Sequence, residues 1–444
     1  MKLSPVTTLI ILAFSQFCFA QTNIKETSGI WKNVQRDLSI TSLAHQVAIA
    51  CHNCYHTDLN SPSAEVSTKE TLAKIENALL QGADFIELDI VDADGEIRVK
   101  RKDTQRARGA LLTDVLSYEK LRSSDAMLYL EIKEEKRTTD KFMWTLLNEL
   151  KNHGYAKTGR PAVIRVFPEA ERENFLLEAK NLLDGHFKRM KEHVLLSLML
   201  PRQLGENTAE MTNTIERAAQ DGIRMVEFNY RTKNIAIHLQ RARDLGLGIG
   251  MWTLPAKEGN TFIAAFRDQV DLFNTDSEIV TAQSAIEDHN LLYSHQQSIP
   301  DSAETRKGYL VMATIQLTEL EVGENATHRI VGREKGEDFT LEIHNPGGSQ
   351  PTMLRFGVKA NRQYKYAYIL LENLNVDEVY TIVGAYNGDG AIELFVNQDA
   401  SQVTTAHTRG KVAVLPQAIK VSQAVEDAPF ELKNLSVQGW GKWK

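Results

Sequence analysis

Glu87 and Asp89 fall two residues apart in the apolar run that starts at Ala83, and Glu131 and Lys133 repeat that spacing about forty residues later. In an extended chain, residues two apart leave the same face. If both runs are strands of one sheet, three carboxylates and one ammonium converge at neighbouring strand ends. Crowding that much negative charge in a core is costly unless it is paired, and a divalent cation held by oxygen ligands is a common partner. Two solvated strand ends with a surface Glu131–Lys133 pair would show the same spacing.

The elements that must position these groups are legible as alternation. Strand-like runs at Val47–Cys51, Phe85–Ile90, Met127–Ile132, Val163–Phe167, Val194–Leu198, Met225–Phe228, Gly248–Trp252 and Val270–Phe273 are separated by amphipathic helical stretches. Eight β/α units in about 250 residues predict a closed (β/α)8 barrel of the TIM type, whose chemistry sits at the C-terminal ends of the strands. Those ends offer His52, Glu87, Asp89, Glu131, Lys133, Arg165, Glu227, Asn229, Trp252 and Asp276. Arg165, Glu227, Asn229 and Trp252 are the expected substrate-binding groups.

After a polar, aperiodic stretch at 291–307, expected to be a linker, the grammar changes. From Gly308 to Lys444, short alternating runs separated by Gly, Asn and Asp turns predict an all-β jelly-roll sandwich, with a hairpin between Tyr386 and Asn397. The barrel is expected over 21–290 and the sandwich over 308–444. Length alone suits two or three domains.

Hydrophobic content of 42% and charged content of 25% are ordinary for a globular chain, and a net charge of −7 without a dense basic run argues against nucleic acid as a partner. Residues 1–20 read as a signal peptide: Lys2, an apolar run from Thr8 to Phe14, and Ala20 before a polar Gln21. A secreted or periplasmic location follows, and no later run has the roughly 18 consecutive apolar residues needed to cross a bilayer. In an oxidising compartment Cys51 and Cys54 suit a local disulfide. A redox pair or a zinc site with His56 are the alternatives.

Five stretches in order resemble the glycerophosphodiester phosphodiesterase family, part of the phospholipase C-like barrel superfamily. They are Ile49–His52, Thr71–Asp89, Leu130–Lys133, Met251–Thr253 and Asn274–Asp276, spanning about residues 45–285. The resemblance implies that Glu87, Asp89 and Glu131 bind a divalent metal, calcium or magnesium, that Lys133 lies on the phosphate side, and that His52 is the first catalytic histidine. It also implies a phosphoric diester hydrolase acting on a glycerophosphodiester, a phospholipid headgroup or a phosphate-containing surface polymer, a role in lipid metabolism among them. The family's second histidine is absent; Arg101 or Lys102 stands there. Arginine does not give up its proton at working pH, so Arg101 could stabilise charge but not protonate a leaving group, whereas Lys102 could do so only with a lowered pKa. The C-terminal part resembles laminin-G and concanavalin-like sandwiches, for which glycan binding and a purely packing role both fit; Trp440 and Trp443 are its candidate stacking residues. Two alternatives remain open: a lyase acting on an acidic polysaccharide, and a non-catalytic glycan-binding barrel.

Overall fold

A computed structural model describes residues 31, 47–55, 67–93, 95–100, 109–133, 141–256, 259–287, 289–294, 297–298, 306–333, 339–360, 363–386, 390–397, 404–407, 419–420 and 428–442. The expected signal peptide, His56, Arg101, Lys102, Trp443 and the side chain of Trp440 lie outside them. No helix among the described residues is long and apolar enough to cross a membrane.

The first unit is a closed barrel of eight parallel strands followed by antiparallel sheets. Its strands are β1 (Ala48–Cys51), β2 (Phe85–Ala93), β5 (Met127–Ile132), β6 (Ala162–Val166), β7 (Val194–Leu200), β8 (Met225–Asn229), β9 (Gly248–Leu254) and β10 (Leu272–Thr275). They pair in that cyclic order, and β1 closes the ring by pairing with both β2 and β10. Two short strands, β3 (Glu96–Val99) and β4 (Ala110–Leu111), extend β2 outward as an antiparallel flap. The sequence reading missed them because neither run is long enough to show a period.

Almost every barrel-strand residue is buried, because one side chain in two points to the helices and the other into the barrel. The inward set of Ala48, Ala50, Phe85, Met127, Tyr129, Val163, Leu195, Met225 and Leu272 fills the interior, and Trp31 packs on Phe85 with ring centroids 5.2 Å apart. The indole N–H of Trp31 donates to the Asp271 carbonyl at 2.8 Å, which satisfies its one donor. The helix Thr68–Leu80 starts with a reciprocal capping box: the Ser67 side chain accepts from the Glu70 N–H, and the Glu70 carboxylate accepts from the Ser67 N–H.

The second unit is a sandwich. A seven-stranded sheet runs β12 (Gln297–Ser298), β11 (His289–Ser294), β22 (Phe430–Lys442), β13 (Arg306–Leu317), β18 (Val379–Tyr386), β19 (Ala391–Val396) and β20 (Thr404–His407). It faces a five-stranded sheet of β17 (Gln363–Leu370), β16 (Met353–Ala360), β15 (Phe339–His344), β14 (Thr327–Arg333) and β21 (Ile419–Lys420). The stretch 291–307, expected to be a linker, therefore contributes strand. The 13-residue β22 pairs with β13 on one side and continues along β11 on the other, giving that polar segment a partner that local sequence does not reveal.

Both faces of β13 are covered. Tyr309, Val311, Ala313 and Ile315 join the sandwich core, while Leu310 and Met312 join the barrel's outer core together with Val383 and Phe395. Phe395 meets Phe262 of the helix Gly259–Phe266 edge to face, with centroids 4.9 Å apart. A strand apolar on both faces is what such a double burial requires.

His238, in the helix Ile235–Asp244, is fully buried against Phe228, and neither ring nitrogen has a partner among the described residues. Burial pushes its pKa down to about 4. The unfolded imidazole titrates near 6.5, so between that value and 4 the unfolded chain binds a proton that the folded one refuses, and stability falls with acid by about 3 kcal/mol. His238→Leu is expected to flatten this part of the stability–pH curve in urea unfolding between pH 7 and 4; an unchanged slope would contradict the assignment.

Candidate active site

Strand register builds the site. Asp89 sits beside Glu131, Glu131 beside Arg165, and Arg165 beside Ser197 on successive strands. Side chains at one level of a barrel that point inward form a layer, and here the top layer is charged. Glu87, Asp89 and Glu131 each offer a carboxylate oxygen, and these oxygens lie within 4.8 Å of one another.

Arg165 is the hub beneath them. Its guanidinium is ion-paired to Glu87, to Glu131 at 2.8 Å and to Glu227 at 3.1 Å, and it stacks over the Tyr129 ring at 4.0 Å. Glu227 is further held by the Tyr129 hydroxyl and by Ser197 Oγ at 2.6 Å. Gly250 makes room for it, since a Cβ there would stand 2.7 Å from Glu227 Cγ. Arg165 is 1% exposed and Glu227 is fully buried, as closely sealed as Glu87 and Asp89, and these two, expected to bind substrate, are paired with each other while Arg165 also holds Glu87 and Glu131. Asn229 and Trp252 do reach the mouth: Asn229 accepts from the Arg231 N–H at 3.0 Å, and the Trp252 indole donates to the Glu227 carbonyl at 3.3 Å.

Lys133 caps the acids from above, pairing with Glu131 and, at 3.3 Å, with Asp89, while its side chain stays 23% exposed. The turn after β1 closes the other side. Asn53, in the left-handed region at φ 51°, donates its N–H to Glu87 at 2.6 Å, and Tyr55 donates its hydroxyl to Asp89 at 2.6 Å. Asparagine tolerates that backbone better than most residues. Cys51 and Cys54 are joined as a disulfide across this turn, with Cα atoms 5.7 Å apart. From β10, Asn274 donates to Glu87 at 3.0 Å. Tyr55, Tyr129 and Ser197 were not singled out from sequence; Tyr129 and Ser197 carry a signal only as strand positions once the barrel register is drawn, and Tyr55, in the turn after β1, carries none.

His52 Nδ1 lies 2.6 Å from an Asp276 oxygen, and the Asn53 side-chain nitrogen is 3.0 Å from Nε2. In the tautomer that donates Nδ1–H to Asp276, the Nε2 lone pair accepts from the Asn53 amide. Burial opposes charge on this ring, but Glu87, the bond to Asp276 and the charges of Asp276 and Asp89 outweigh it and raise the pKa above the ordinary imidazole value.

Four carboxylates (Glu87, Asp89, Glu131, Glu227) thus face two permanent cations (Arg165, Lys133), an excess of two negative charges when all are ionised. The imbalance shows at Asp89, whose carboxyl is pushed up to about 6 by burial first and then by Glu131, with Glu87 adding to it. Glu131, although buried, is held below the usual carboxylate range by Arg165 and Lys133. Hard carboxylate oxygens in a cluster with uncompensated negative charge fit a hard divalent cation.

No family model matches the chain, and no curated protein matches it. Solved structures with a similar chain trace include glycerophosphodiester phosphodiesterases. That from Thermotoga maritima is 18% identical and covers 53% of this chain and 96% of its own, with a TM-score of 0.34. That from Agrobacterium tumefaciens is 17% identical over 53% of this chain and 99% of its own, with a TM-score of 0.35. The ligand-binding domain of botulinum neurotoxin serotype D is 12% identical over 35% of this chain and 40% of its own, with a TM-score of 0.25. At such identities and scores the likeness adds nothing to the site's own geometry.

Removing one partner of a buried ion network leaves the others unpaired, at a cost of about 3–5 kcal/mol. Arg165→Met, which keeps the volume, is therefore expected to lower the unfolding free energy by about that much in urea. A change below about 1 kcal/mol would show that the arginine is not what holds the acids.

Proposed function

We propose that this chain is a divalent-cation-dependent phosphoric diester hydrolase. The observation that carries the reading is the joint placement, in one barrel mouth, of three clustered carboxylates, a partly exposed lysine among them, and a histidine tethered to an aspartate. The two parts match the two needs of the reaction: charge neutralisation at a phosphoryl group and a base or nucleophile beside it.

Glu87, Asp89 and Glu131 would hold the cation, with magnesium or calcium the hard ions that suit such donors. When bound, the cation supplies charge neutralisation at the phosphoryl oxygens. Lys133, already bridging Asp89 and Glu131, adds a positive charge on the open side of the cluster. Asp276 fixes the His52 ring and its tautomer, so that Nε2 takes the proton of an attacking water or itself attacks phosphorus. Tyr55, Asn53 and Asn274 keep Asp89 and Glu87 aimed, and the Cys51–Cys54 disulfide stiffens the turn that carries His52 and Asn53. Substrates are glycerophosphodiesters, phospholipid headgroups or phosphate-containing surface polymers, met in a secreted or periplasmic setting. Asn229 and Trp252 contact the alcohol portion. The sandwich, whose seven-stranded sheet includes β11 and β12, is the unit that would bind a glycan.

Hydrolysis of bis(p-nitrophenyl) phosphate is expected to vanish on chelation, to return with magnesium or calcium, and to fall at least about 100-fold in His52→Ala and Asp89→Asn. Activity indifferent to the chelator or to Asp89→Asn would remove this reading.

A second expectation needs no substrate. Asp89 is raised in the fold, so its contribution is present below the unfolded value and is lost as pH rises through about 6. Above that pH an ionised Asp89 destabilises the metal-free fold, and a bound cation relieves it. Added cation should therefore raise the melting temperature more at pH 7.5 than at pH 5; equal shifts would speak against Asp89 as a ligand.

A further inference from the structure

Across the mouth from the acids lies a cavity of about 420 Å3 lined by Phe167, Arg202, Asn229, Tyr230, Arg231 and Trp252 among others. It opens at the ends of β8 and β9, which stand opposite β2 and β5 in the eight-membered ring. A volume of this size is in the range of small-molecule sites, and it shares the mouth with the reacting centre.

Its lining carries two guanidinium groups and no carboxylate. Arg231 is only partly exposed, and its Nε is buried with no hydrogen-bond partner among the described residues. Its guanidinium carbon stands 5.0 Å from the Tyr230 ring centroid, and no described carboxylate pairs with it. Other shielded arginines among the described residues behave differently: Arg165, Arg172, Arg243 and Arg355 each meet an acid. An arginine held in place by an aromatic ring, with its fork unspent, is preorganised for an incoming anion. Phe167 and Trp252 meet edge to face at 5.5 Å, and the bond from the Trp252 indole to the Glu227 carbonyl fixes that ring. They form a rigid apolar wall of the cavity that the two arginines share.

We propose that Arg202 and Arg231 form a subsite for a second anionic group on the substrate, carried by the alcohol portion whose carbon skeleton packs on Phe167 and Trp252. This rests on the phosphodiester reading and narrows it. The preferred substrate is an extended diester with a phosphate or carboxylate beyond the scissile phosphate, as in a repeating phosphodiester chain, rather than one ending in a neutral or cationic alcohol. Because the acids and the arginines lie on opposite sides of the mouth, one substrate spanning it presents a phosphate to each. The net charge of −7 makes such a local reversal of sign a discriminating feature for anionic ligands.

The test measures affinity by calorimetry on the full chain carrying His52→Ala, in magnesium, so that the diester is not consumed. Three probes are compared: glycerophosphoglycerol, the same diester with a terminal phosphate, and the same diester with a terminal carboxylate. The terminal anion is expected to tighten binding at least tenfold, and this preference is expected to collapse when Arg231→Ala or Arg202→Ala is added, with Arg231→Lys keeping part of it. A gain with phosphate alone assigns a phosphate, and a gain with both assigns any anion. Equal affinities for all three probes, or a preference that survives both alanine substitutions, overturns the proposal. Hydrolysis of bis(p-nitrophenyl) phosphate by the parent chain is scored separately, so loss of the diesterase reading and loss of the subsite are distinguishable.

Discussion

A guanidinium sealed from water must be answered by carboxylates, and a carboxylate cluster sealed from water must be answered by cations. In this barrel one residue satisfies much of both demands. Arg165 ties Glu87 of β2, Glu131 of β5 and Glu227 of β8 into a single layer, reaching across half the ring. The arrangement is not a cheap source of stability, since an apolar layer of equal volume would fold as well or better. What it provides is placement: three strands' worth of acid are held at one height, with only Lys133 and the turn at 52–55 above them.

Charge compensation from below is incomplete by design of the sequence. Arg165 and Lys133 leave a surplus of negative charge, and the surplus is concentrated at Asp89, between the buried arginine layer and the open mouth. A site neutralised fully by its own side chains would have no use for a cation, and one without Arg165 would repel itself apart. The intermediate state leaves room for an ion while the scaffold stays folded. The His52–Asp276 pair stands in the turns that directly follow β1 and β10, the strands that close the ring, so its geometry depends on barrel closure.

The barrel was legible because eight apolar runs recur with helical stretches between them, and the acids because their spacing of two survives translation into a strand. The pairing among the charged groups was not. Arg165 and Glu227 look like open mouth residues when strand ends are counted, and their ion pair with each other and the pairs of Arg165 with Glu87 and Glu131 exist only as distances. Tyr55, Tyr129 and Ser197 are ordinary polar residues in sequence; their roles exist only as distances to Asp89 and Glu227. The polar stretch at 291–307 misled for the related reason that β11 is stabilised by a partner, β22, more than 130 residues away, and local pattern carries no record of it.

The central claim is that acids from β2 and β5 hold one divalent cation above Arg165. Calorimetric titration of the chelated full-length chain with magnesium and with calcium at neutral pH tests it most directly. The account predicts saturable binding of one ion per chain that is lost in Asp89→Asn. Absence of saturable binding for either ion, or binding of unchanged stoichiometry and affinity in that variant, would contradict it.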